Sequence, residues 1–194
     1  MSVAAGLLKQ ARLAAGWSAR AVARQAGTAQ ARLSEIERGV HDPSVGTIDR
    51  SLRAVGWQLA VLPTRAPTAA TVGLAVREAI DAAGRPASEE RAFRSLLSLS
   101  DGLGSAEPAL RVALSVAPPP PTGDTRFDAA IAAVVEYHLT RSKLPVPGWV
   151  REPSRTLAEP WTPDPYAGPE LAAEVPEAFR RHGVLLAERE LESV

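Results

Sequence analysis

Residues 7–63 read LLKQARLAAGWSARAVARQAGTAQARLSEIERGVHDPSVGTIDRSLRAVGWQLAVLP, and this stretch decides the fold. Val3, Leu7, Leu8, Ala11 and Ala14 recur at helical spacing until Gly16 stops the run. Ser18 has the side chain and position to cap a second helix, whose inward residues are Val22 and Ala26. Thr28 or Ala29 opens a third, with Leu33 and Ile36 on its buried face and Gly39 as its end. After the turn His41-Asp42-Pro43, Ser44 caps a fourth, in which Val45, Ile48, Leu52 and Val55 precede Gly56. Trp57, Leu59 and Val61 alternate with Gln58, Ala60 and Leu62, which predicts a strand closed by Pro63. A lone strand cannot satisfy its own backbone groups, so it needs a partner from later in the chain or from a second copy.

The middle pair of helices is joined only by Gly27-Thr28-Ala29, the spacing of a helix-turn-helix. A helix that enters the major groove turns its apolar side to its own domain and offers hydrogen-bonding side chains to base edges. Projected at helical angles, Gln30, Ala31, Ser34, Glu35 and Arg38 lie opposite Leu33 and Ile36. Gln30, Ala31, Ser34 and Glu35 are the candidate base-reading positions: glutamine suits adenine, glutamate accepts from cytosine, and serine bonds base or phosphate. Ser18, Arg20, Arg32, Arg38 and His41 fall at helix starts and loops, where contact with phosphate fixes position without reading sequence. A helix-turn-helix scaffold that serves as a docking module is the alternative.

Leu13 to Gly56 closely resembles the phage-repressor-type, or XRE, helix-turn-helix family. The resemblance is carried by Arg12, Gly16, Val22-Ala23, Ala26-Gly27, Gln30, Leu33-Ser34, Ile36-Glu37-Arg38-Gly39, Pro43, Ile48 and Val55-Gly56. It implies a helical DNA-binding domain that acts as a dimer, with Arg12 and Glu37 paired inside the domain. Where the family carries polar groups this chain has Ala19, Ala29 and Ala31, so fewer direct contacts survive and recognition leans on DNA shape. The strand of Trp57, Leu59 and Val61 resembles one through which two antitoxin copies of this family form a small intersubunit sheet. Residues 144–150 and 176–186 look like C-terminal regions of repressors that accompany nucleotidyltransferase-like toxins.

The formal charge of the 194-residue chain is zero, but it is unevenly divided. Residues 1–65 carry nine Lys and Arg against four Asp and Glu; residues 66–143 carry eight against nine, and residues 144–194 five against nine. A basic module suits phosphate, whereas an acidic remainder suits protein. The expected architecture is mainly α: a helix-turn-helix domain over 1–65, a helical domain over 66–143, and a Pro-rich irregular segment over 144–194 packed on those helices. Helices are predicted near 70–83, 88–99, 105–117 and 124–142, with Pro118 to Pro121 as a stiff connector. Trp149, Trp161 and Tyr166 are expected to anchor the irregular segment. A short helix near 176–182 and a strand-like Val184-Leu185-Leu186 follow.

The chain contains no cysteine, which excludes disulfides, thiolate metal sites and a cysteine nucleophile, and fits a cytoplasmic protein. No apolar run is long enough to span a membrane. His41, His138 and His182 lack metal-ligand spacing, and His138 reads as a hydrogen-bonded core residue. Asp101-Gly-Leu-Gly104 reads as a loop, and Glu89, Glu90, Glu188 and Glu190 as solvated surface. No cofactor, metal or enzymatic activity is implied. The expectation is a dimeric repressor on a double-stranded operator, in its sharper form an antitoxin that controls its own operon and binds a nucleotidyltransferase-like toxin. A stand-alone regulator whose C-terminal half senses a small ligand or oligomerises is the alternative.

Overall fold

The computed structural model describes residues 3–82, 85–164 and 171–191. The chain divides into two compact units, Met1–Leu62 and Pro63–Val194.

The first unit contains α1 (Val3–Ala14), α2 (Ala19–Gln25), α3 (Gln30–Glu37) and α4 (Val45–Arg53). The Ser18 and Ser44 hydroxyls accept from the amides of Ala21 and Thr47, and so cap α2 and α4. Leu8, Ala11, Val22, Ala23, Leu33, Ile36 and Leu52 form one small core. The strand expected at Trp57, Leu59 and Val61 is not there: residues 57–64 carry no regular structure. Only Leu59 turns onto the core, while Trp57 and Val61 remain 50% and 67% exposed. The alternation marks one half-buried anchor, and among the described residues nothing supplies the second strand that a ladder needs.

The second unit is built from α5 (Ala69–Ala82), α6 (Arg85–Ser105), α7 (Pro108–Val116), α8 (Thr125–Arg141), α9 (Leu171–Glu174) and α10 (Glu177–Arg181). Asp124 caps α8 by accepting from the amide of Arg126. Every residue of α8 from Phe127 to Glu136 is buried, so this helix is the axis around which the unit is packed. Such a helix is hydrophobic all round, apart from Asp128 and Glu136.

Those two carboxylates find their partners in the irregular C-terminal segment. Asp128 accepts from Arg155 at 3.2 Å and from the Thr122 amide at 3.0 Å. Arg155 also donates to the Pro119 carbonyl, which ties it to the proline connector. That connector lies against Gly73 of α5, where an added Cβ would come 2.7 Å from Pro119. Glu136 is bonded by Arg181 and, at 2.9 Å, by His182 Nε2, while His182 Nδ1 lies 2.6 Å from the Arg155 carbonyl. A carbonyl oxygen only accepts, so Nδ1 carries a hydrogen.

Trp149 is buried and donates its indole N–H to the Ser115 carbonyl at 3.0 Å. Trp161 packs on Phe127, and Tyr166 lies outside the described residues. In place of the strand-like Val184-Leu185-Leu186 there is one parallel bridge, from Trp161 to Val184. Asp101-Gly-Leu-Gly104 is not a loop but the last helical turns of α6. Its glycines are there for packing: a Cβ on Gly102 would meet Ala66 at 2.9 Å, and one on Gly104 the His138 ring at 3.4 Å. None of the described helices is long and apolar enough to cross a membrane.

Replacing His182 with Leu leaves the buried Glu136 carboxylate bonded by Arg181 alone, and is expected to cost about 1.5–3 kcal/mol in urea unfolding. Adding Glu136→Met is expected to recover most of that loss.

Candidate nucleic-acid interface

The geometry of α3 is set from three sides. Its apolar face, Leu33 and Ile36, is 1% exposed. Its start follows the turn after α2, where Gly27 has φ +65° and the Thr28 amide bonds back to the Ala23 carbonyl at 2.9 Å. A Cβ on Gly27 would meet nothing, so glycine is required there for the left-handed backbone and not for space. Its end is held by Arg12 of α1, whose guanidinium grips Glu37 with two parallel bonds of 2.7 and 2.8 Å. Arg12 also donates to the Trp17 carbonyl at 3.1 Å, so the same side chain fastens the loop leading into α2. The bonds to Glu37 raise the Arg12 pKa above its ordinary value, against the opposing effect of burial.

With that side anchored, Gln30 and Ala31 are exposed and Ser34 and Glu35 half-buried on the remaining face. Ala29 sits at the N-cap position and makes no side-chain bond, so no hydroxyl or carboxylate covers the first amides of α3. Ser18, Arg20, Arg32, Arg38 and His41 are all exposed. They do not act alike. Arg32 donates to His41 Nε2 at 3.1 Å, which joins the helix to the following loop. Arg38 returns to the Ser34 carbonyl at 3.2 Å, and the Ser18 oxygen is occupied by its capping bond. Arg20 makes no side-chain bond among the described residues.

Projection of α3 alone missed Lys9, Arg24 and Arg50, which are also exposed in this unit. The charge surplus of the first 65 residues was their one signal in the sequence. The row expected to carry dimerisation, Trp57, Leu59 and Val61, has no regular structure and no ladder.

An exposed, rigidly seated helix after a tight turn, in a basic unit, defines a helix-turn-helix DNA-binding module. Residues 4–64 match a family model described as a helix-turn-helix domain, and the match supports an XRE-like helix-turn-helix in this part of the chain. The match supports a DNA-binding regulator. Comparison with curated proteins and with solved structures gives no match for the chain.

Replacing Arg12 with Ala is expected to destabilise the first unit by about 1.5–3 kcal/mol, since it leaves Glu37 half-buried and unpaired. Hydrogen exchange at the α3 amides in the full chain reads this out, and Arg12→Lys, which lacks the fork, is expected to restore only part of the protection.

Proposed function

We propose that the chain is a transcriptional repressor that reads a palindromic operator through α3 as a dimer. The observation that carries the reading is the free face of α3, with Gln30, Ala31, Ser34 and Glu35 presented while Leu33, Ile36 and Glu37 hold the helix down. In this reading Gln30 and Glu35 bond base edges, and Ser18, Arg20, Arg38 and the Arg32–His41 pair meet phosphates. Ala31 offers only a methyl group to the groove, and the uncapped amides at Ala29 add a phosphate-facing helix end. The exposed Trp57 and Val61 fit pairing with a second copy, which would supply the missing strand.

Binding to the DNA upstream of the chain's own gene tests this reading. About six phosphate contacts per dimer give an expected slope near −5 in log affinity against log salt. Gln30→Ala and Glu35→Ala are each expected to lower discrimination by about 1–3 kcal/mol at one operator position. A flat salt response on every duplex rules the reading out. Deletion of 57–62 is expected to convert a dimer to a monomer in light scattering; an unchanged mass moves the interface elsewhere.

The acidic surplus of residues 66–194 supports the sharper form, an autoregulating antitoxin whose second unit binds a nucleotidyltransferase-like toxin. Co-purification with the product of an adjacent gene of that type is the expected result, and failure to form that complex removes the toxin from the reading. The second reading, a regulator that responds to a small ligand, is favoured by a cavity of about 610 Å³ within the second unit.

A further inference from the structure

That cavity opens between the C-terminal half of α6, the start of α7, the end of α8 and the turn at Glu188–Leu191. Its volume falls in the roughly 300–1,000 Å³ range of metabolite sites, and is large for a bare inorganic ion. Two guanidinium groups face it, and they are held differently.

Arg111 is fixed by the carbonyl oxygens of Leu103, Gly104 and Ala106 and by the Ser142 hydroxyl. A rigidly placed positive charge therefore stands in the wall, which Asp101 also lines. Arg141 is exposed and bonds the Tyr137 hydroxyl and Glu188 through one terminal nitrogen only. Its Nε and second terminal nitrogen are unspent, and they form the edge of the planar fork that matches a carboxylate or phosphate.

Between them lies His138, whose Nε2 shares a hydrogen bond with Ser100 at 2.9 Å. Its Nδ1 makes no hydrogen bond among the described residues. The ring pKa is lowered to about 4, first by burial, then by Arg111 and Arg141, with Asp101 opposing. Near neutral pH the imidazole is therefore uncharged and sits in the field of two cations. Hydroxyls of Ser100, Ser105, Ser142 and Tyr137 line the wall together with the Asp101 carboxylate.

We propose that this cavity binds a small organic anion, with a phosphate or carboxylate head between Arg141 and Arg111 and a hydroxyl-bearing body along the serines. Arg141 supplies the fork, Arg111 the fixed charge, and His138 Nδ1 a bond whose direction follows from the tautomer that Ser100 selects. The Glu188–Arg141 contact is solvent-exposed, so exchanging one acceptor for another there costs little. The inference rests on the ligand-responsive reading for its biological sense, while the binding chemistry stands on the cavity alone.

The test uses the full chain with ribose 5-phosphate, gluconate and neutral ribose, followed by calorimetry and by the His138 ring signals in proton NMR. Binding of either anion and not of ribose is expected, and which anion binds distinguishes a phosphate head from a carboxylate. A bound anion favours the charged ring, so the His138 pKa is expected to rise from about 4 on saturation. Arg141→Glu is expected to weaken binding by roughly ten- to a hundredfold. Arg180→Glu, on an exposed residue outside the cavity, is expected to leave it unchanged.

Failure of both anions to bind, equal loss in the two variants, or an unmoved His138 titration overturns the proposal. Operator affinity measured with and without the bound anion separates the two ideas: an unchanged affinity removes the ligand-responsive reading while the site itself stands.

Discussion

A helix buried on every side cannot carry carboxylates unless the chain brings cations to them. That constraint organises the second unit. Asp128 and Glu136 lie two turns apart on α8, and burying either without a partner would cost several kcal/mol. The partners come from the least regular part of the sequence, as Arg155, Arg181 and His182. The Pro-rich stretch therefore behaves as a strap whose few charged residues are its fastenings, with Trp149 and Trp161 filling the space between. The Arg155 carbonyl accepts from His182 while its guanidinium reaches Asp128, so one residue links both carboxylate sites.

The first unit solves a related problem on a smaller scale. A short helix that must show one face to a partner needs its other face and both ends fixed from within. Leu33 and Ile36 fix the face, the left-handed turn at Gly27 fixes the start, and the Arg12–Glu37 fork fixes the end. No exposed residue of α3 takes part in that anchoring. The outward positions are thus free to vary in chemistry, and in this chain Ala29 and Ala31 have taken that freedom in the apolar direction.

How much of this was legible depended on whether the controlling interactions were local. Helix starts at Ser18 and Ser44 and stops at Gly16, Gly27 and Gly39 are set within a few residues, and the sequence shows them. The large helices of the second unit were readable from periodicity for the same reason. The strand at 57–62 does not form in the single chain because alternation reports only burial, and a strand also requires a neighbour. The turn at 101–104 was misread because its glycines answer to Ala66 and His138, distant in sequence. The cavity was invisible: Arg111, His138 and Glu188 mean nothing together until α7, α8 and the final turn converge. Glu136 and His182 were equally silent, since a buried ion pair leaves no periodic trace.

The wide separation of Glu136 from His182 has a consequence for synthesis. The two lie 46 residues apart, so at about 5–20 residues per second the ribosome releases α8 roughly 2–9 seconds before the residue that completes its core. Throughout that interval a helix made for complete burial is present with its acids uncompensated. The basic first unit, whose anchoring contacts all lie within its own residues, has no such wait. The helix-turn-helix part of each nascent chain can therefore be folded while the remainder still waits for the residues that complete its core.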